Sequence, residues 1–181
     1  FELPPQQADE LLGFEIERVE GGLRVEAYPD AELWKAQGAS VFLTPYSELR
    51  QMLELVTGDR LGPAAGVAQT EPFTIVDLGA GYGRLGVVIA ALGLEARFLG
   101  FEICRERVVE AKRVYRGLGL DPQGIEQADL AEPNFRPPLA DVYLIYDYGT
   151  EKAVQKTLVD LQELAREASR LPKPGFRVIG R

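Results

Sequence analysis

The stretch VDLGAGYGRLG, Val76 to Gly86, constrains this chain more than any other. It is the end of a near-continuous apolar run, Phe73–Leu78, that passes directly into glycines at Gly79, Gly81 and Gly83. An unbroken apolar run predicts a strand covered on both faces, and a helical pattern follows over 84–92. The alternation then continues. Strands are expected at 97–103, 124–128, 141–146 and 176–180, and helices at 105–118 and 151–170. Val108, Ala111, Tyr115 and Leu118 form one helical stripe, and Val154, Leu158, Leu161, Ala165 and Ala168 form another. Strands that alternate with helices imply an α/β fold with a doubly wound, mostly parallel sheet and right-handed crossovers. Ligands of such sheets bind beyond the carboxyl ends of the strands, here the loops after residues 78, 103, 128 and 146.

The region before residue 72 reads differently. Residues 1–13 are polar and contain proline, consistent with a loose arm or a short helix. Phe14 to Tyr28 alternates apolar and charged residues around Gly21-Gly22, which predicts a β-hairpin. Thr44-Pro45 supplies a helix start, with Leu49, Met52, Leu53 and Val56 on one face; 58–66 reads as a loop. The expected organisation is an N-terminal extension over 1–43 and a ligand-binding domain over 44–181. The first residue is Phe1 rather than Met, so the natural N-terminus is expected to be trimmed.

Composition removes several classes of function. At 181 residues the chain is one domain in size, with a net charge of −8. Nucleic-acid binders usually carry a basic footprint, so DNA and RNA are disfavoured as partners, whereas a cationic acceptor is compatible. The chain has no histidine, which excludes Ser-His-Asp triads and histidine metal sites. Its single cysteine, Cys104, excludes an internal disulfide and reads as buried filler in a reducing cytoplasm. No run of about 18 apolar residues is present, and no signal peptide is recognisable.

Two glycine signatures overlap in the opening stretch. Gly81, Gly83 and Gly86 spell the dinucleotide fingerprint, which seats a pyrophosphate on a helix N-terminus. Asp77, Gly79, Gly81 and Gly83 spell D-x-G-x-G-x-G instead. A carboxylate within a few ångströms of a pyrophosphate costs about 1–4 kcal/mol, depending on the local dielectric. S-adenosylmethionine carries an ammonium and a sulfonium and no phosphate, so it suits this loop better than NAD. Gly86 then falls inside the helix, where it serves helix–sheet packing. Glu102 ends the second strand and can accept from both hydroxyls of a ribose, which either cofactor contains. Gln127-Ala128-Asp129-Leu130 can border an adenine, with Asp129 accepting from its amine. Tyr146, Asp147 and Tyr148 border the reactive end and are the candidate catalytic residues. Arg84 is expected to cap or pair at the surface. Rival readings are a nicotinamide-dependent oxidoreductase and a scaffold that binds without catalysing.

Over about residues 40–181 the sequence resembles class I S-adenosylmethionine-dependent methyltransferases. The resemblance rests on VDLGAGYG, the acid of GFEI, the QADL loop and the strand DVYLIYDYG. It implies a Rossmann-like fold and places Asp77, Gly79 and Gly81 near the methionine moiety, with Ala80 and Gly83 in the same turn. It likewise implies Glu102 at the ribose with Ile103 beside it, and Asp129 at the adenine with Leu130 beside it. Phe42 to Leu49 resembles the entry segment of protein-lysine methyltransferases of this fold, which makes Thr44 and Tyr46 candidate lid residues. A protein lysine is the favoured methyl acceptor and a small molecule the runner-up. The N/D-P-P-Y motif of base-directed amino-methyltransferases is replaced by Tyr146-Asp147-Tyr148-Gly149. A metal-dependent type would need more acidic ligands than Asp147, so no metal is expected. The family's last two strands do not appear before Arg181: either the sequence is truncated there or something else covers that edge, and the Phe14–Tyr28 hairpin is expected to pair beside the fifth strand.

Overall fold

The structure, a computed structural model, describes residues 3–23, 44–57, 73–145, 149–170 and 175–180. Three helices precede the sheet: α1 (Pro5–Leu12), α2 (Ile16–Gly22) and α3 (Tyr46–Thr57). Then come β1 (Phe73–Leu78), α4 (Arg84–Ala91), β2 (Ala96–Glu102), α5 (Arg105–Gly117), β3 (Ile125–Gln127), β4 (Val142–Ile145), α6 (Glu151–Ala168) and β5 (Arg177–Gly180). The five strands form one sheet in the order β3-β2-β1-β4-β5, and every pairing is parallel. The expected α/β sheet is therefore present. β1 lies between β2 and β4, so the connections leaving it diverge there, which is where doubly wound sheets open a crevice.

All six residues of β1 are buried, as the unbroken apolar run requires. Phe73 and Ile75 pack with Leu49, Leu53 and Val56 of α3 and with Leu85 and Val88 of α4. Val76 and Leu78 pack on the opposite face with Tyr143 and with Leu161 of α6. The expected stripe on α3 is thus the face it buries. Thr150 caps α6 by accepting the Ala153 N–H at 3.3 Å. Among the described residues no helix is long and apolar enough to cross a membrane.

The hairpin expected at Phe14–Tyr28 is corrected. Residues 16–22 form helix α2, and residues 24–28 lie outside the described residues. Phe14, Ile16 and Val19 pack against Tyr82, Val87, Val108 and Ala111, between α4 and α5. The segment therefore sits beside the glycine turn and not beside β5. Ile16 and Val19 are three apart, a helical spacing that the charged residues between them disguise as alternation.

Candidate functional site

β1 alternates its side chains, so Asp77 shares the face of Phe73 and Ile75 and points to the side occupied by α3 and α4. It lines a cavity of about 50 Å³ together with Thr44, Gly79, Gly81, Tyr82 and Leu144. The chain leaves β1 through a turn in which Gly79, Gly81 and Gly83 have φ of 94°, 55° and 70°, values that favour glycine. The Gly79 and Ala80 N–H groups both donate to the Phe101 carbonyl at 2.9 Å, which folds the turn over the end of β2.

Glu102 closes the other side. Its Oε2 accepts from the Gly81 N–H at 2.8 Å and its Oε1 from the Cys104 N–H at 2.9 Å. The carboxylate thus bridges the glycine turn and the residue that caps α5. It is only 4% exposed. Burial raises its pKa above the ordinary value, while the Arg107 guanidinium and the two backbone donors pull the other way. Asp77, also nearly buried, is pushed up to about 7, first by burial and then by the charge of Glu102. Among the described residues no donor bonds the Asp77 carboxylate. Two desolvated acids side by side make a seat for a cation, which would relieve both.

The other expected residues are placed as follows. Asp129 is half-buried, and its Oδ1 accepts from the Ala131 N–H at 2.8 Å, closing a local turn. Leu130 is buried beneath it with Phe101, and Ile103 offers its carbonyl to the Gln127 side chain at 3.2 Å. Thr44 lines the cavity with Asp77, and its carbonyl accepts from Arg84 Nη1 at 3.2 Å. Tyr46 is turned inward: its hydroxyl donates to Asp9 Oδ1 at 2.7 Å, and the Arg84 guanidinium lies 5.0 Å from its ring centre. Tyr146, Asp147 and Tyr148 follow β4 in the chain and lie outside the described residues.

Two expectations about neighbouring residues resolve in opposite ways. A Cβ at Gly86 would fall 2.1 Å from the Tyr115 hydroxyl and 2.7 Å from Phe98 Cδ1, so this glycine admits α5 and β2 against α4, as expected. Arg84, expected at the surface, is instead 4% exposed and forms a buried ion pair with Asp9 of α1. Its partner comes from 75 positions away in the chain, which no local pattern signals.

Other contributors also escaped sequence reasoning. Glu20 of α2 accepts from Arg107 Nε at 2.8 Å and Nη2 at 3.0 Å, and from the Tyr82 hydroxyl at 2.7 Å. Gly100, opposite Asp77 in the β1–β2 register, leaves room for the turn, since a Cβ there would lie 2.8 Å from that of Ala80. A lone glycine inside a strand pattern was the available signal. Cys104 is fully buried, and among the described residues no group of three or more acidic, Cys or His side chains can hold a metal ion.

No protein family and no curated protein matches the chain. Solved structures do. The bifunctional kinase-methyltransferase WbdD aligns over 92% of this chain and 35% of its own, with 15% identity and a TM-score of 0.51. TrmN from Thermus thermophilus aligns over 76% of this chain and 38% of its own, with 20% identity and a TM-score of 0.50. The fold is that of the class I methyltransferases. An RNA methyltransferase from Salinibacter ruber, in complex with S-adenosyl-L-homocysteine, covers 76% of each chain at 25% identity with a TM-score of 0.47. Among the first structures it matches, the chain spans 52%, 62% and 38% of their length.

Proposed function

We propose that this methyltransferase fold is an active S-adenosylmethionine-dependent enzyme that methylates an amine, with a protein lysine as the favoured acceptor. The observation that carries the reading is the pair Asp77 and Glu102, two nearly buried acids near the carboxyl ends of β1 and β2. Such a pair suits a cationic ligand without phosphates and opposes a dinucleotide.

The cofactor supplies an electrophilic methyl group on a sulfonium and an ammonium at its amino-acid end. Asp77 accepts the ammonium, and Gly79, Ala80, Gly81 and Gly83 give it a turn free of obstructing side chains. Glu102 accepts the ribose hydroxyls on lone pairs that Gly81 and Cys104 leave open, with Ile103 alongside. Asp129 and Leu130 border the adenine. Thr44 walls the cavity, and Tyr46 fixes the start of α3 through Asp9. Tyr146, Asp147 and Tyr148 orient the acceptor nitrogen, and the Asp147 carboxylate or a tyrosine phenolate takes its proton. Transfer to a neutral amine depends on orientation and exclusion of water more than on acid–base chemistry, so a chain without histidine is adequate. The net charge of −8 favours a basic acceptor protein.

Calorimetry with S-adenosylmethionine, S-adenosylhomocysteine and NADH tests the cofactor. Binding of the first two without NADH is expected; binding of NADH alone overturns the reading. Labelled-methyl transfer to lysine-rich proteins and to small amines then tests the acceptor. Cofactor binding with no transfer to any lysate component would make the chain a scaffold.

A further inference from the structure

The segment between β3 and β4 carries Asp129 near its start and has no helix or strand of its own. Its beginning is fixed at the site. The Ala128 N–H donates to the Glu102 carbonyl at 2.9 Å, and Gln127 lies opposite Glu102 in the β2–β3 register. Asp129 is thus delivered beside the acid read as the ribose acceptor. Two backbone bonds then lead along the segment. The Glu132 N–H donates to the Asp129 carbonyl at 3.2 Å, and the Phe135 N–H donates to the Glu132 carbonyl at 3.0 Å. Phe135 sets its ring edge-on to that of Phe101, with 5.2 Å between centres, and Leu130 is buried in the same apolar cluster.

The grip on Phe135 comes from α6. Lys156 Nζ donates to the Phe135 carbonyl at 3.1 Å and to Asp160 Oδ2 at 2.6 Å. Arg136, the next residue of the segment, donates from Nη1 to Asp160 Oδ1. Asp160 therefore reaches the segment twice, directly through Arg136 and by way of Lys156 through a backbone carbonyl. It is 2% exposed, a depth at which a carboxylate requires compensating cations. The far end is held separately, by the Tyr143 hydroxyl donating to the Pro138 carbonyl at 2.6 Å.

We propose that Asp160 is a positioning residue that sets the base selectivity of the cofactor site. By clamping Phe135 and Arg136 onto α6, it holds the two turns that lead back to Asp129. This rests on the reading of Asp129 as the adenine-binding acid. One Asp129 oxygen is engaged by the Ala131 N–H at 2.8 Å, so the other is the one that accepts from the exocyclic amine of adenine. An acceptor held there opposes the carbonyl oxygen that hypoxanthine carries at the same ring position. Loosening the clamp lets Asp129 retreat from that oxygen, so hypoxanthine gains relative to adenine.

The test compares S-adenosylhomocysteine with S-inosylhomocysteine, whose base is hypoxanthine, by calorimetry on the full chain. The wild type is expected to prefer the adenine ligand by about tenfold, the worth of a bond to a charged acceptor. Asp160→Asn and Lys156→Met are each expected to cut that preference by about threefold. A merely structural role would weaken both ligands alike and leave the ratio unchanged. In the ligand-free chain, the Glu132 and Phe135 amides should exchange hydrogen about tenfold faster in both variants, with β1 amides unchanged. An unchanged preference in Lys156→Met, or protection lost equally from β1 and the segment, overturns the proposal. If Asp160→Asn does not fold, Lys156→Met decides alone, since it keeps the apolar stem and leaves Asp160 paired with Arg136. A wild type that binds both ligands equally removes Asp129 from the adenine, and the proposal with it. Because exchange needs no ligand, a chain that ignores both ligands refutes the methyltransferase reading while the clamp is still judged.

Discussion

Asp9 and Asp77 are both nearly buried, at 3% and 8% exposure, yet they stand in opposite electrostatic situations. Asp9 lies under α3 with a guanidinium and a phenol turned towards it, Arg84 on both carboxylate oxygens and Tyr46 on one. Asp77 faces a cavity, and the nearest charge that acts on it is another acid, Glu102. Desolvating a carboxylate is costly in either place, and among the described residues only the first cost is offset. The contrast separates an acid that holds the molecule together from one that the proposed function pairs with an incoming cation.

The comparison can be broken most decisively at Asp9. Asp9→Ala leaves the Arg84 guanidinium buried and unpaired, and urea denaturation should show a loss of about 3–5 kcal/mol. A loss below about 1 kcal/mol would show that the pair is not desolvated in solution. Next in size, Glu102→Ala should weaken S-adenosylhomocysteine binding by about 3 kcal/mol in calorimetry, since charged acceptors for the ribose hydroxyls disappear. Unchanged affinity would place the nucleoside elsewhere.

Asp77→Asn is expected to act with the opposite sign to Asp9→Ala. The folded-state pKa of Asp77, about 7, lies above its ordinary 3.8, so the folded protein holds this proton more tightly than the unfolded chain. The stability from that proton is complete below about pH 3.8 and is lost as pH rises to about 7. Asparagine removes this slope, and at pH 8 the ligand-free variant should be more stable by about 2 kcal/mol while binding cofactor less well. Equal pH slopes in variant and wild type would mean that Asp77 already has a partner. The smallest effect is expected for Tyr46→Phe, about 1 kcal/mol of stability, because Arg84 alone still satisfies Asp9.

The same contrast marks what the sequence could reveal. Among the described residues, apolar periodicity located every strand and α-helix from Phe73 onward to within about two residues, because burial on two faces leaves a pattern in neighbouring positions. Gly86 was also legible, since a glycine inside a helical pattern signals close packing. The helix at Ile16–Gly22 was missed because Phe14 and Ile16 suggest an alternating reading while Ile16 and Val19 suggest a helical one. Only contact with Tyr82 and Val108, far along the chain, selects between them. Arg84 was misplaced at the surface for a related reason: charge pairs across 75 positions leave no local trace. Glu102 was recognisable as a strand-end acid, but its bonds to the Gly81 and Cys104 N–H groups were not.

The long spans of these two pairs bear on how the molecule is made. Asp9 and Glu20 leave the ribosome before their partners, which follow 75 and 87 positions later. Until Arg107 has emerged, α1 and α2 lack the surfaces that α4 and α5 provide, and two short helices alone are marginal in water. β1, for its part, waits for β4, whose Leu144 lies opposite Asp77. Segments made before the sheet are thus among the last to settle, and when they do, Glu20 joins Tyr82 of the glycine turn to Arg107.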